Sequence, residues 1–278
     1  MIPLFIFQAE PARIIIAKII GRISFNRFNL GLYSWTKIET NDPVTWPILT
    51  RKTILESPNK YLDYRLKLFD IFTYPSVCGQ TNQNFKWLML LSDDTPIKYR
   101  KIFEQYTRFI PIYCKGQWRS MKSHVQKLIH NYIDNSSDFI ITTRLDVDDM
   151  LHRNFIDNVQ NDIPKKHNTS LYYKFGHVIN FKHRDMYLPQ PAQTVYDQSY
   201  PHNQFPSIIE EPNKVRTIWC ESHGILRKST EDIVIKKEPM WCWIVHGKNM
   251  STFRGDITRS TIRLGELQPN FTYKQVTE

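Results

Sequence analysis

Three carboxylates, Asp146, Asp148 and Asp149, follow directly on the apolar run Phe139-Ile-Ile-Thr-Thr143. Carboxylates set so close repel one another, and a divalent cation is the usual remedy. Hard oxygen ligands suit Mg²⁺ or Mn²⁺. A run of β-branched and aromatic residues favours a buried strand. Phe155, Ile156, Val159 and Ile163 then recur at helical spacing. The pattern predicts a strand that delivers an acidic cluster to its C-terminal end, just before a helix. In open α/β sheets that is where ligands sit. The Asp146-Val-Asp148 triplet alone is a weak signal, because Asp148 or Asp149 could simply cap the following helix. A second polar group closes the aromatic run Pro239-Met-Trp-Cys-Trp-Ile-Val-His-Gly247. His246 there could be a satisfied core histidine, or it could complete a metal shell with the distant carboxylates.

The elements that must position these groups alternate. Residues 22–32 alternate and read as a first strand ending near Asn26 to Asn29, and 61–72 as an amphipathic helix stopped before Pro75. Phe85 to Leu91 is a buried strand ending in Ser92-Asp93-Asp94, and Thr95-Pro96 starts a helix with Ile97, Ile102, Phe103 and Tyr106 on one face. Residues 109–113 form a short strand, and Met121, Val125, Leu128, Ile129, Tyr132 and Ile133 mark another helix. This alternation predicts a mostly parallel sheet flanked by helices, with both acidic pairs on one edge. Beyond residue 165, 171–181 reads as a strand and 182–214 as an irregular, proline-rich functional loop. Residues 215–227 read as strand material.

The 278-residue chain is long enough for one large domain. Its net charge of +10 points to anionic partners, but Lys and Arg are dispersed, which argues against a nucleic-acid tail. Cys78, Cys114, Cys220 and Cys242 form no Cys-x-x-Cys pair, so they are expected to be free thiols of a cytoplasmic protein rather than a zinc site. No segment has the length of a membrane-spanning helix. Arg13 to Ile20 reads as a core element, with a peripheral membrane contact as the alternative. No Gly-x-Gly-x-x-Gly or Walker loop is present, so a phosphate group would be held by metal rather than by a glycine nest.

Several blocks follow one another in a telling order: Arg27-Phe-Asn29; Tyr74-Pro-Ser-Val77, Gln80-Thr81 and Asn84-Phe-Lys-Trp87; Ser92-Asp-Asp-Thr-Pro96; Thr143-Arg-Leu-Asp-Val-Asp-Asp149; and Val245-His-Gly247. In that order and spacing the chain resembles the putative rhamnosyltransferase family over residues 22–255, a family that looks like glycosyltransferases of the GT-A fold. The resemblance implies a Rossmann-like central sheet, a nucleotide-sugar donor, a glycan acceptor and a divalent metal. It divides one compact domain into an N-terminal extension (1–21), a nucleotide-sugar half (22–165) and an acceptor half with a C-terminal cap (166–278). It implies metal contacts from Asp146, Asp148 and His246. Contacts to the donor would come from Arg27, Asp93, Asp94, Arg144 and Asp146.

Such a reaction builds negative charge on the departing diphosphate, which a metal offsets. An inverting enzyme also needs a general base for the acceptor hydroxyl. Glu210, Glu211 and Glu221 are the candidates, each equally readable as a surface carboxylate. Asp148→Ala is expected to leave the fold intact and to remove metal-dependent donor binding. Two other classes fit parts of the pattern: a metal-dependent phosphohydrolase or nuclease, and a non-catalytic glycan- or membrane-binding module.

Overall fold

The structure is a computed structural model that describes residues 2–8, 16–19, 58–114, 118–133, 137–181, 194–221, 223–246, 256–267 and 269–274. The expected first strand at 22–32, including Arg27, lies outside the described residues. Two sheets carry the fold. The larger has eight strands: β1 (Ile2–Gln8), β2 (Ile16–Ile19), β3 (Lys86–Ser92), β4 (Ile110–Cys114), β5 (Ile140–Arg144), β7 (Thr169–Tyr173), β10 (Ser207–Glu210) and β11 (Glu231–Ile235). They lie in the order β11-β7-β10-β5-β1-β2-β3-β4. The smaller has five: β6 (Met150–Leu151), β8 (Phe175–Asn180), β9 (Thr194–Ser199), β12 (Trp241–Val245) and β13 (Asp256–Arg263), in the order β13-β9-β8-β12-β6.

The larger sheet is mixed, not the mostly parallel Rossmann-like sheet expected. β1 and β10 flank β5 and run antiparallel to it, and β10 also pairs antiparallel with β7. The β2–β3, β3–β4 and β7–β11 pairs are parallel. Alternation of strand and helix signals parallel crossovers, but it does not register strands that insert beside β5 from both ends of the chain. Following these pairings across the sheet, β3 and β5 still share a direction, so their acidic ends face the same rim.

Period-two burial explains how the sheets pack. Trp87, Met89 and Leu91 of β3 join Trp241, Trp243 and Val245 of β12 in one core. The intervening Leu88 and Leu90 face a second core under the larger sheet, with Val125 and Ile129. Cys242 and Ile244 face a third beneath the smaller sheet, with Tyr64, Leu68 and Phe72. The helices are α1 (Pro58–Leu68), α2 (Tyr74–Cys78), α3 (Ile97–Phe103), α4 (Trp118–Ile129), α5 (Phe155–Asp162) and α6 (His223–Leu226). The helical path does not stop before Pro75. A π-turn over Phe69–Thr73 joins α1 to α2, and Pro75 sits in the first turn of α2, where its missing N–H costs nothing.

Two other expectations change. Within 182–214, the described part forms β9 and β10 rather than one irregular loop. The described part of 215–227 is not a strand: a turn at 218–219 is followed by α6. Ile218, Trp219 and Cys220 are buried there by packing on the outer face of the larger sheet, not by pairing. The expected strand at 171–181 is two strands, β7 and β8, one in each sheet.

Candidate active site

The acidic segment leaves β5, turns through Asp146–Asp149, and enters β6 of the other sheet. Asp149 N–H donates to Asp146 O at 3.1 Å to close the turn. Neither Asp148 nor Asp149 caps a helix, since α5 begins after Asn154. β6 pairs antiparallel with β12, with Met150 opposite Cys242 and Leu151 opposite Trp241. Continued backwards, that register carries the carboxylates along the end of β12. Asp149 is buried and accepts the Ile244 N–H at 2.8 Å, a backbone-holding role the sequence did not suggest. Asp148 reaches further, and its Oδ2 lies 2.8 Å from His246 Nε2, 98 positions away in sequence. Both residues are only 3% exposed.

A third group completes this cluster. Arg65 of α1, 83 positions before Asp148, donates from Nη1 to the same Oδ2 and is also buried. The neighbouring Tyr64 sets its ring edge-on to His246, with centroids 5.1 Å apart. Sequence reasoning passed over Arg65 because it followed only the apolar stripe of the helix. The available signal was a cation on the buried face, between Leu62 and Phe69, which must find an anion.

Asp146 is turned differently. Its side chain is 29% exposed, and its Oδ1 lies 3.7 Å from Arg144 Nη2 and receives no hydrogen bond. The Arg144 guanidinium stacks over Trp219 at 5.4 Å. Thus Asp148 and His246 are brought together, while Asp146 pairs with Arg144 instead. Among the described residues no three His, Cys, Asp or Glu side chains are grouped to hold an ion unaided. Asp93 and Asp94 lie on the same rim but at the end of β3, with β1 and β2 between β3 and β5. At about 4.8 Å per strand, three spacings separate them by roughly 14 Å, too far for one metal shell. Asp93 is further fixed through its backbone, whose N–H donates to Cys114 O at 3.1 Å and whose carbonyl accepts from Arg100.

The three glutamates differ sharply. Glu210, at the end of β10, is wholly buried. It accepts the backbone N–H groups of Arg216 at 3.1 Å and Thr217 at 2.8 Å, and Arg216 Nε at 3.3 Å. Burial pushes its carboxyl above the ordinary range, against the lowering effect of those donors. These bonds hold Thr217 at φ 67°, a strained conformation for a β-branched residue. Glu211 pairs with Lys214 at 2.6 Å, which lowers its carboxyl. Glu221 lies two residues past Trp219, on the turn whose Ile218 N–H donates to Thr142 Oγ1 of β5 at 2.7 Å. Of the three, Glu221 is on the segment docked against the end of the acidic strand, whereas Glu210 faces inward.

No described helix is long and apolar enough to cross a membrane. Comparison with curated proteins finds no match. A model of the family described as putative rhamnosyl transferase matches residues 41–255, which takes in α1, the acidic turn and His246. That match covers more than half of the chain and takes in Arg65, Asp148 and His246, and by it the chain belongs to the putative rhamnosyl transferase family.

Proposed function

We propose that the chain is a glycosyltransferase of the GT-A type that moves a sugar, rhamnose by its family, from a nucleoside-diphosphate donor to a glycan or other hydroxyl acceptor. The observation that carries this reading is the meeting of Asp148 and His246 at 2.8 Å on the rim where β5 ends. A divalent cation suits that donor set. Asp148 and His246 would hold it, and diphosphate oxygens would complete the shell, as sites with one or two carboxylates commonly allow. When bound, the ion supplies charge stabilisation for the departing diphosphate.

The chain's own residues supply the rest. Arg144, held against Trp219 and beside Asp146, would offer a guanidinium to a phosphate oxygen, and Asp146 would face the donor ribose or the metal. Asp93 and Asp94, roughly 14 Å along the rim, would meet the nucleoside end of an extended donor. Glu221 is the candidate base that takes the proton from the acceptor hydroxyl. The family match supports transfer to an acceptor over simple hydrolysis.

The test is calorimetric titration with a panel of nucleoside diphosphates, with Mn²⁺ and again with chelator. The informative variant is Asp148→Asn. Asp148→Ala, expected from the sequence to leave the fold intact, would strand the buried Arg65 and His246 at a cost of about 3–5 kcal/mol. Metal-dependent binding of one nucleotide, lost in D148N, is the expected result. Equal binding with chelator, or in D148N, would overturn the metal role.

A further inference from the structure

Arg65 puts a positive charge on the Asp148 oxygen that faces His246, beside the place of the proposed metal. Asp148 Oδ2 is shared between Arg65 Nη1 and His246 Nε2, and all three side chains are buried. A single carboxylate oxygen cannot keep a guanidinium and accept a divalent cation in the same direction. Two cations crowded on it would also repel each other strongly in a poorly solvated site. The helical path is anchored on both sides of Arg65, with Leu62 of α1 and Phe69 of the π-turn in the core between the sheets and Tyr64 and Leu68 in the core beneath the smaller one. The helix therefore cannot drift away, so relief must come from the guanidinium swinging about its own side chain.

We propose that Arg65 is a resident counter-ion that competes with the divalent cation for Asp148. It neutralises the buried carboxylate when no metal is bound, and it must release Oδ2 for metal to enter. The released guanidinium is then free to take a phosphate oxygen, the ligand its planar fork matches best. Metal affinity is thereby set low until an anionic donor arrives to accept Arg65. This inference rests on the metal site proposed above.

The experiment measures Mn²⁺ binding to the full chain by electron paramagnetic resonance, with no nucleotide present. Arg65→Met and Arg65→Gln are compared with Arg65→Lys, which keeps the charge. Removing the charge is expected to tighten Mn²⁺ binding by at least about tenfold, with R65K near wild type. D148N should abolish binding in every background. If binding needs Asp148 but R65M and R65Q bind no tighter than wild type, Arg65 is only a clamp, and this inference falls while the metal site stands. If no Mn²⁺ binds, or D148N leaves binding unchanged, the metal site itself falls and takes the inference with it. Should the uncharged variants fail to fold, ¹⁵N-arginine spectra of the wild-type chain decide the matter. Saturating Mg²⁺ should then shift one protected guanidinium signal, and an unmoved set of signals would overturn the competition.

Discussion

Asp149 and Glu210 direct their carboxylates at backbone amides, while Asp148 directs its own at two cationic or cation-forming side chains. All three are buried carboxylates, so their partners decide the role. For Glu210 the consequence is structural. Glu210→Ala removes the acceptor from two backbone N–H groups and should cost about 2–6 kcal/mol, at about 1–3 per orphaned donor. Glu210→Gln keeps one acceptor oxygen and should cost less. Urea denaturation checks both. A normal unfolding curve for E210A with abolished transfer would instead restore Glu210 as a base. For Glu221 the opposite pattern is expected: E221Q should unfold like wild type and lose at least about a hundredfold in turnover. Unchanged turnover would remove it as the base. At this scale the sequence was informative where residue type and position coincide, as at Asp148 and His246. It was silent on which partner a side chain finds, as for Arg65, 83 positions before Asp148, and for Glu210 beneath the backbone of Thr217.

The elements that position the site were legible where apolar runs are strong. Expected strands near residues 85–91, 109–113 and 139–143 correspond to β3, β4 and β5, and Pro239–Gly247 contains β12. What could not be read was pairing. β10 is a four-residue strand beside prolines, and its place between β5 and β7 follows from tertiary registry rather than local pattern. The turn at 217–221 looked like a strand because its apolar residues are buried against a sheet face. Close packing between strands also gives a testable constraint. Gly176 of β8 lies beneath the ring of Trp241, and a Cβ there would enter the ring. Trp241 cannot yield readily, since it stacks on Phe205 at 5.2 Å and donates from Nε1 to Tyr173 O at 2.8 Å. Gly176→Ala should therefore destabilise the fold by about 3 kcal/mol, the upper range for overpacking. A melting temperature equal to wild type would show that β12 can shift, and with it His246.

Across the whole molecule, two buried histidines couple stability to acidity. His152, after β6, and His177, on β8, each set a ring edge against Phe271 of the C-terminal segment, with centroids 5.5 Å apart in both cases. Burial lowers both imidazoles below their ordinary 6.5, and for His177 it outweighs the nearby Asp197. A group whose folded pKa is depressed contributes stability above its unfolded value and loses it as pH falls through the folded one. The chain should thus melt at progressively lower temperature as pH drops below 6.5. His177→Gln should flatten that slope. Thermal melts across that range decide it, and a flat profile for the wild type would contradict the assignment.

The turn from Asp146 to Asp149 passes from one sheet to the other, and its partners come from α1 before it and β12 long after it. This has a bearing on how the protein is made. During synthesis Arg65 and Asp148 are both available while the strand that carries His246 is still missing. The Asp149 carboxylate meanwhile lacks the Ile244 amide that it will finally hold. The site can only be completed once Ile244 and His246 have been made. A chain cut before Trp241 would carry every acidic residue of the motif and no finished site. Two fragments divided there would regain function only by rejoining, which makes complementation of split halves a direct assay for sheet docking.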